Sequence, residues 1–140
     1  MPDTHYSDDE TISDDTLLLR RVPSVPNLNV VWDGNTQAWR PSSASFENHP
    51  NGSPMSVGLS DTLEQLGRPL QSMLDGYEEG FSLVAFHARA ARENGQGVAR
   101  EPTPEELAHG VVFGEKTKAV RRRLAKSAIW IVPPDLQRQV

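Results

Sequence analysis

The chain has 140 residues, of which 36% are hydrophobic, and its formal net charge is −5. This length suits one domain with its own core, and the absence of cysteine excludes a disulfide framework, a thiolate nucleophile and a cysteine-ligated metal. No apolar run approaches the roughly 20 residues that span a bilayer, and the opening MPDTHYSDDE lacks the basic and apolar regions of a signal peptide, so we expect a soluble cytoplasmic protein without a membrane span.

The acidic charge is concentrated at the N-terminus. Residues 1–16 contain six acidic side chains and no lysine or arginine, which leaves 14 basic and 13 acidic residues in the rest of the chain. Such a composition predicts a disordered acidic tail. Two roles stay open for it: it docks on a basic partner, or it folds back over a basic surface of its own chain. We expect a single domain over 17–134 and a short C-terminal tail over 135–140.

The first strands are predicted from short apolar runs. Residues 17–22, closed by Pro23, are typical of an edge strand. Residues 28–32 and 38–40 flank the turn sequence Asp-Gly-Asn at 33–35, which predicts an antiparallel hairpin. Its two tryptophans, at 32 and 39, are expected to pair on one face and anchor the core.

The middle of the chain begins with a loop rich in serine and proline. Phe46 is expected to pin the first half of this loop, residues 40–54, to the core. A strand over 55–59 is followed by a helix with a predicted capping box from Asp61 to Glu64. Since Gly67 and Pro69 interrupt that helix, we expect a kink or two short helices. A buried strand over 81–86 then leads directly into a helix that ends at Asn94-Gly95.

The last third of the chain predicts alternating strands and helices. We expect a one-turn helix from Thr103 to about His109, a strand over 110–113, a helix over 115–127 and a final buried strand over 128–132. The two strands are separated by about the length that a βαβ crossover needs. The whole pattern predicts an α+β or α/β domain in which two or three helices pack on a mixed β-sheet.

Residues 110–117 read GVVFGEKT and partly match a phosphate-binding P-loop. The motif requires a second glycine directly before the lysine, but Glu115 stands there. A carboxylate at that position would face the phosphates, so the sequence argues against a P-loop.

Residues 116–126 form a basic helix. A solvated face, a partner contact and nucleic-acid binding are the alternatives for this helix, and no interleaved aromatic residue offers a base-stacking surface. The predicted ligand or partner contacts combine this helix with the serine-rich loop: Arg40, Ser42, Ser43, Lys118, Arg121, Arg122, Arg123 and Lys126.

The histidines give no clear catalytic or metal-binding pattern. They stand at 5, 49, 87 and 109 without the helical spacing of paired metal ligands, so neither a metal site nor a cofactor is predicted. His87 and His109 lie at strand boundaries without a defined acid or nucleophile beside them, and we interpret both as structural. The loop serines lack a G-x-S-x-G elbow and are expected to stabilise turns.

The ordered phrases WRPSSASF, PMSV, AHGVVFGEKT and IWIVPP resemble those of a group of small, uncharacterised bacterial proteins. The resemblance covers roughly residues 17–134. It implies a self-contained bacterial domain and carries no function with it.

A second resemblance is to the RES-type toxins, which consume NAD and are related to ADP-ribosyltransferases. An arginine on an early strand, an arginine at a serine-rich stretch, a serine and a helical glutamate carry it. These positions correspond to Arg20 or Arg21, Arg40, Ser56 and Glu64. The resemblance implies a transferase that uses NAD or another nucleotide.

We therefore expect a small accessory protein that works by binding a protein partner through its acidic tail and basic helix. The alternatives are a nucleotide-using transferase at Arg20, Arg40, Ser56 and Glu64, and nucleic-acid binding through residues 116–126. The sequence alone leaves open whether the protein is an enzyme.

Overall fold

A computed structural model describes residues 6–77 and 79–136. Eight strands, three α-helices and two 3-10 turns make up this part of the chain. In order they are β1 (Leu17–Pro23), β2 (Val30–Asp33), β3 (Ala38–Pro41), a 3-10 turn (Ser43–Ser45), β4 (Met55–Leu59), α1 (Ser60–Gln65), a second 3-10 turn (Leu70–Leu74), β5 (Phe81–His87), α2 (Ala88–Glu93), β6 (Gly97–Arg100), β7 (His109–Phe113), α3 (Lys118–Ser127) and β8 (Ile129–Val132).

Six of the strands form one sheet in the order β6-β7-β4-β1-β5-β8, and every pairing between them is antiparallel. The predicted α+β class is confirmed, but the sheet is antiparallel throughout rather than mixed. The predicted βαβ crossover is wrong because β7 and β8 lie in opposite halves of the sheet. The prediction of an edge strand for β1 is also wrong: it lies between β4 and β5, and its apolar side chains are buried on both faces.

Each face of the sheet has its own apolar layer, because successive side chains of a strand point to opposite faces. On one face, β-strand residues such as Leu18, Val57 and Phe86 pack with α2 and α3. On the other, Leu19 and Leu83 pack beneath α1 and the second 3-10 turn. Side chains of β4 and β7 that belong to the same layer therefore share a face of the sheet.

The hairpin forms as predicted and makes a separate two-stranded sheet of β2 and β3. Trp32 lies opposite Trp39, with the ring centroids 5.5 Å apart in an edge-to-face arrangement. The indole of Trp130 in β8 donates to the carbonyl of Trp39 at 2.9 Å. The hairpin therefore lies beside β8, at one end of the large sheet.

The helix predictions are partly confirmed. Two short helical segments replace one long helix around Pro69, as expected. The capping box is wrong: the carboxylate of Asp61 accepts hydrogen bonds from Arg100, and no side chain caps α1. The one-turn helix after Thr103 is also wrong. The hydroxyl of Thr103 does accept a hydrogen bond from the amide of Glu106. The chain then turns and enters β7 at His109.

Three further differences lie in the second half of the chain. Strand β6 was not predicted, because GVAR is too short and too polar to stand out. The helix α3 begins at Lys118, where the hydroxyl of Thr117 caps the amide of Val120 at 3.2 Å. The last strand is a partly exposed edge rather than a buried strand.

Residues 6–16 of the acidic segment are packed against the domain, so the expected disorder is wrong for this part; residues 1–5 lie outside the described residues. Ile12 is fully buried in the core. The amide of Asp9 donates to the carbonyl of Val98 at 2.8 Å, and the amide of Val98 donates to the carboxylate of Asp8 at 2.9 Å. The composition of the segment predicted disorder because composition carries no information about the apolar and basic surface against which the segment packs.

The surface that receives the acidic segment consists of α2 and β6. Arg92 binds Asp8 at 3.1 Å and Asp14 at 2.8 Å, and Arg89 binds Asp15 at 3.1 Å. These carboxylates neutralise arginines at the β6 end of the sheet. The described residues of the segment therefore cover a basic surface of their own chain, which is the second of the two roles left open, and this surface is not the basic helix of residues 116–126.

Candidate functional site

A cleft of about 530 Å³ lies between the β2–β3 hairpin, the serine-rich loop and the C-terminal half of α3. The serine-rich loop and the basic helix, which together supply the predicted contact residues, meet in this cleft although they are about 80 positions apart in the chain. The lining residues are Val31, Asp33, Arg40, Pro41, Ser42, Ser43, Arg122, Ala125 and Lys126.

Three basic side chains give the cleft its positive charge. Arg40 is more than half exposed, and its Nε is 3.9 Å from the Asp33 carboxylate, which is a long contact for an ion pair. Arg122 and Lys126 are exposed on α3, and no carboxylate of the described chain pairs with either. The cleft thus presents three cations and one carboxylate to a ligand.

The serines fix the wall of the cleft. The hydroxyl of Ser42 donates to the carbonyl of Leu28 at 2.6 Å, and the hydroxyl of Ser45 donates to the carbonyl of Asn29 at 2.9 Å. Phe46 is fully buried in the core, as predicted, and its ring lies edge-to-face against that of Phe86. The loop is therefore attached both to the hairpin and to the core, so Arg40 and Ser43 are held in place rather than on a mobile spacer.

The helix α3 is held by its apolar side, where Val120 and Leu124 enter the core. Arg121 is turned toward the serine-rich loop and forms an ion pair with Glu47. Lys118 and Arg123 are exposed outside the cleft lining. Five of the eight predicted contact residues thus line the cleft, and Lys118, Arg121 and Arg123 do not.

The four residues of the transferase alternative are not brought together. The guanidinium of Arg20 donates to the backbone carbonyls of Ser45 at 3.1 Å and Ser56 at 2.9 Å, and burial lowers its pKa to about 10. The strand register places the Arg20 side chain on the face opposite the Ser56 hydroxyl. Arg40 lies in the cleft, and Glu64 is exposed on α1.

The loop before α3 does not form a phosphate cradle. The ammonium group of Lys116 turns back and donates to the side-chain oxygen of Gln96 at 2.8 Å and to the carbonyl of Val112 at 2.9 Å. Burial, with a smaller contribution from the nearby charge of Arg20, lowers the pKa of Lys116 to about 8. The lysine that would bind phosphate in a P-loop is therefore engaged by the protein itself.

One arrangement of polar side chains was missed in the sequence. The hydroxyl of Ser56 is 3.1 Å from Nε2 of His109, and Nδ1 of His109 is 2.7 Å from the backbone oxygen of Glu101. His87, by contrast, is exposed at the end of β5. The pairing of β4 with β7 creates the Ser56–His109 contact, and this pairing was not predicted.

Two findings bear on other classes of protein. Within residues 6–77 and 79–136, no three side chains of the histidine or carboxylate type are grouped so as to hold a metal ion. None of the helices in that part of the chain has the length and apolar character that crossing a membrane requires.

Comparison of the chain with protein-family models, curated proteins and solved structures gives no significant match. The resemblances to small bacterial proteins and to the RES-type toxins therefore stay predictions from the quoted residues.

Proposed function

We propose that this chain is a binding module whose cleft between the hairpin and α3 takes an acidic segment of a partner protein. The observation that carries the proposal is the convergence of Arg40, Arg122 and Lys126 on one concave surface. Opposite charge in a partner is the complement of such a surface. Residues 6–16 of the acidic segment lie on α2 and β6, so this part of the chain does not occupy the cleft.

The composition of the cleft favours a peptide over a nucleic acid. Val31, Pro41 and Ala125 give it an apolar part that suits an amino-acid side chain between acidic residues. None of the residues that line the cleft is aromatic, so bases find no stacking surface there.

The test is a binding titration with a fluorescent peptide of alternating glutamate and leucine. We expect saturable binding that weakens roughly 5- to 30-fold in the double variant Arg122→Ala/Lys126→Ala, because each exposed charge contact contributes about 0.5 to 1 kcal/mol. The matched control is Lys118→Ala/Arg123→Ala, which removes the same charge from the same helix outside the cleft. Its affinity should equal that of the wild type.

Two further probes separate the alternatives. The same peptide with glutamine in place of glutamate should not bind, because it offers no negative charge. A single-stranded oligonucleotide of equal length should bind more weakly than the acidic peptide. Tighter binding of the oligonucleotide, or equal loss of peptide affinity in the two double variants, would contradict an acidic-peptide site in the cleft.

A further inference from the structure

A second group of polar side chains lies on the opposite face of the sheet from α3. Ser56 is on β4, His109 begins β7, and Glu101 follows β6. The register pairs Gly58 with His109, so Ser56, two residues before Gly58, shares a face with the imidazole. A diagonal pair of this kind is within reach of a long side chain, which explains how His109 contacts the Ser56 hydroxyl.

The hydrogen bonds of His109 define which ring nitrogen carries the proton. Nδ1 is 2.7 Å from the backbone oxygen of Glu101, and a carbonyl oxygen only accepts. Nδ1 therefore donates, and the neutral ring presents the lone pair of Nε2 to the Ser56 hydroxyl at 3.1 Å. This is the tautomer that a general base needs in order to take a proton from serine.

A carboxylate stands behind the imidazole. Oε1 of Glu101 is 3.7 Å from Nδ1 of His109, where its negative charge stabilises the imidazolium that forms when His109 accepts a proton. The hydroxyl of Tyr6 donates to the other carboxylate oxygen and holds it in place. The order serine, histidine, carboxylate is the arrangement that activates a serine nucleophile on several unrelated folds.

A second imidazole lies beside the serine. Nε2 of His49 is 3.4 Å from the Ser56 hydroxyl, and His49 is exposed on the serine-rich loop. In its Nε2–H form this ring donates toward a negative oxygen that develops next to Ser56. The Ser56 hydroxyl thus has two imidazole nitrogens near it, Nε2 of His109 at 3.1 Å and Nε2 of His49 at 3.4 Å.

We propose that Ser56 and His109 form a nucleophile–base pair that hydrolyses uncharged, short-chain carboxylic esters, with Glu101 as the positioning residue. The carboxylate of Glu101 disfavours an anionic substrate at this place. Val111 and Ala99, which share the face with Ser56, are buried, so the surface beside the hydroxyl offers no room for a long acyl chain.

The reaction balances without a further reagent besides water. His109 takes the hydroxyl proton as Oγ of Ser56 attacks the ester carbonyl carbon. The bond from that carbon to the leaving alcohol breaks, and His109 returns the proton to the alcohol oxygen. A water molecule, deprotonated by the same ring, then attacks the acyl-serine, which releases the carboxylic acid and restores the hydroxyl.

The test is covalent labelling of the full chain with a fluorophosphonate probe, followed by mass spectrometry of the modified residue. We expect a single adduct on Ser56 that is absent in Ser56→Ala. In His109→Asn the labelling rate should fall at least about 100-fold, the usual contribution of a general base. Hydrolysis of 4-nitrophenyl acetate should be lost in the same variants.

The controls are a serine and a histidine outside the group. Ser53→Ala and His87→Asn should label and hydrolyse like the wild type, since Ser53 is turned to Asn51 and His87 is exposed on β5. In Glu101→Gln the labelling rate should fall, because the imidazolium loses a negative neighbour, and Glu101→Asp, which keeps the charge, should restore part of it. Equal labelling rates in the wild type and Glu101→Gln would contradict the positioning role.

The labelling of the wild-type chain decides the outcome even if a variant fails to fold. The absence of a Ser56 adduct in the folded wild type would overturn the proposal. So would an adduct that forms equally fast in folded His109→Asn. Neither result depends on peptide binding in the cleft, which lies against the opposite face of the sheet.

Discussion

Two basic side chains, Arg20 and Lys116, stabilise the backbone rather than face a ligand. Strands β1 and β4 pair only at Leu18–Leu59 and Leu19–Gly58. Next to that pairing, the guanidinium of Arg20 donates to the Ser56 carbonyl and so supplies a hydrogen bond that a neighbouring strand would otherwise make. The resemblance to RES-type toxins gave Arg20 a catalytic role, whereas its contacts indicate a structural one.

Lys116 should make stability depend on pH in the alkaline range. Burial lowers its pKa from the ordinary 10.5 to about 8, so between these values the unfolded chain binds more protons than the folded one. Stability therefore rises with pH across this window, by roughly 1 to 2 kcal/mol after allowance for partial exposure. The measurement is urea unfolding at several pH values, with Lys116→Met as the reference lacking this ionisation.

The matched control for this experiment is Lys118→Met, which removes an exposed lysine two positions away. It should keep the alkaline rise of the wild type, whereas Lys116→Met should lose it. Parallel stability curves for the wild type and Lys116→Met would show that the Lys116 ammonium is not destabilised by burial.

At the scale of elements, the acidic segment behaves as part of the sheet. Strand β6 lies at one edge, and the backbone of Asp9 and the carboxylate of Asp8 bind the carbonyl and amide of Val98. Uncovered strand edges promote association between molecules. Residues 8–12 therefore cover an edge that would otherwise be open to another strand.

The variant Ile12→Ala tests whether this segment contributes to the core. Ile12 is fully buried, and truncation of a buried isoleucine costs about 2 to 5 kcal/mol. A disordered tail would predict no change. Urea unfolding of Ile12→Ala beside Val25→Ala, whose side chain is 44% exposed, distinguishes the two. A change below about 0.5 kcal/mol in both variants would return the segment to the status of a tail.

The elements that the sequence predicted are those with a strong local signal. The runs at 17–22, 81–86 and 110–113 consist mostly of apolar residues, and all three are strands in the sheet. Strand β6 lacks such a signal, since it is stabilised by β7 and by the acidic segment. The cap predicted at Thr103 does form, but the residues after it form strand β7 instead of continuing a helix.

The candidate site was predictable only in part. Arg40, Ser42, Ser43 and the basic helix were named as contacts, but their meeting in one cleft depends on the hairpin lying beside β8 and α3. The contact between Ser56 and His109 depends on the β4–β7 register in the same way. Pairings between distant segments set both sites, and local patterns do not encode them.

At the scale of the whole molecule, two ion pairs connect segments that are distant in sequence. Arg68 binds Glu106 through two nitrogens, at 2.6 and 2.9 Å, and Arg100 binds Asp61 at 2.6 Å. The hydrogen bonds from these arginines lower the pKa of Glu106 and the pKa of Asp61 below their ordinary 4.5 and 3.8. The first pair joins the segment after α1 to the chain that connects β6 and β7, and the second joins α1 to the end of β6.

These two carboxyl groups should make the fold sensitive to acid. Because their folded pKa values are depressed, their contribution to stability is present above pH 4.5 and is lost as pH falls below the ordinary values. The double variant Asp61→Asn/Glu106→Gln should therefore be less stable than the wild type at pH 7, by about 1 to 2 kcal/mol. The difference in stability between the double variant and the wild type should shrink in acid, which thermal unfolding at pH 3 and pH 7 measures.

The control is Glu64→Gln, which alters an exposed carboxylate of α1 and should leave the acid dependence of stability unchanged. A double variant that keeps the full acid dependence of the wild type would contradict the role given to Asp61 and Glu106.

The position of the hairpin beside β8 also determines how the molecule can be observed by spectroscopy. All three tryptophans of the chain, at 32, 39 and 130, belong to this end, where the Trp130 indole donates to Trp39. Tyr6 stacks on Phe113, in a strand next to β6. Intrinsic tryptophan emission is therefore a local signal from the neighbourhood of the cleft. It responds to a ligand bound there without any attached dye, and it is silent about the edge that the acidic segment covers.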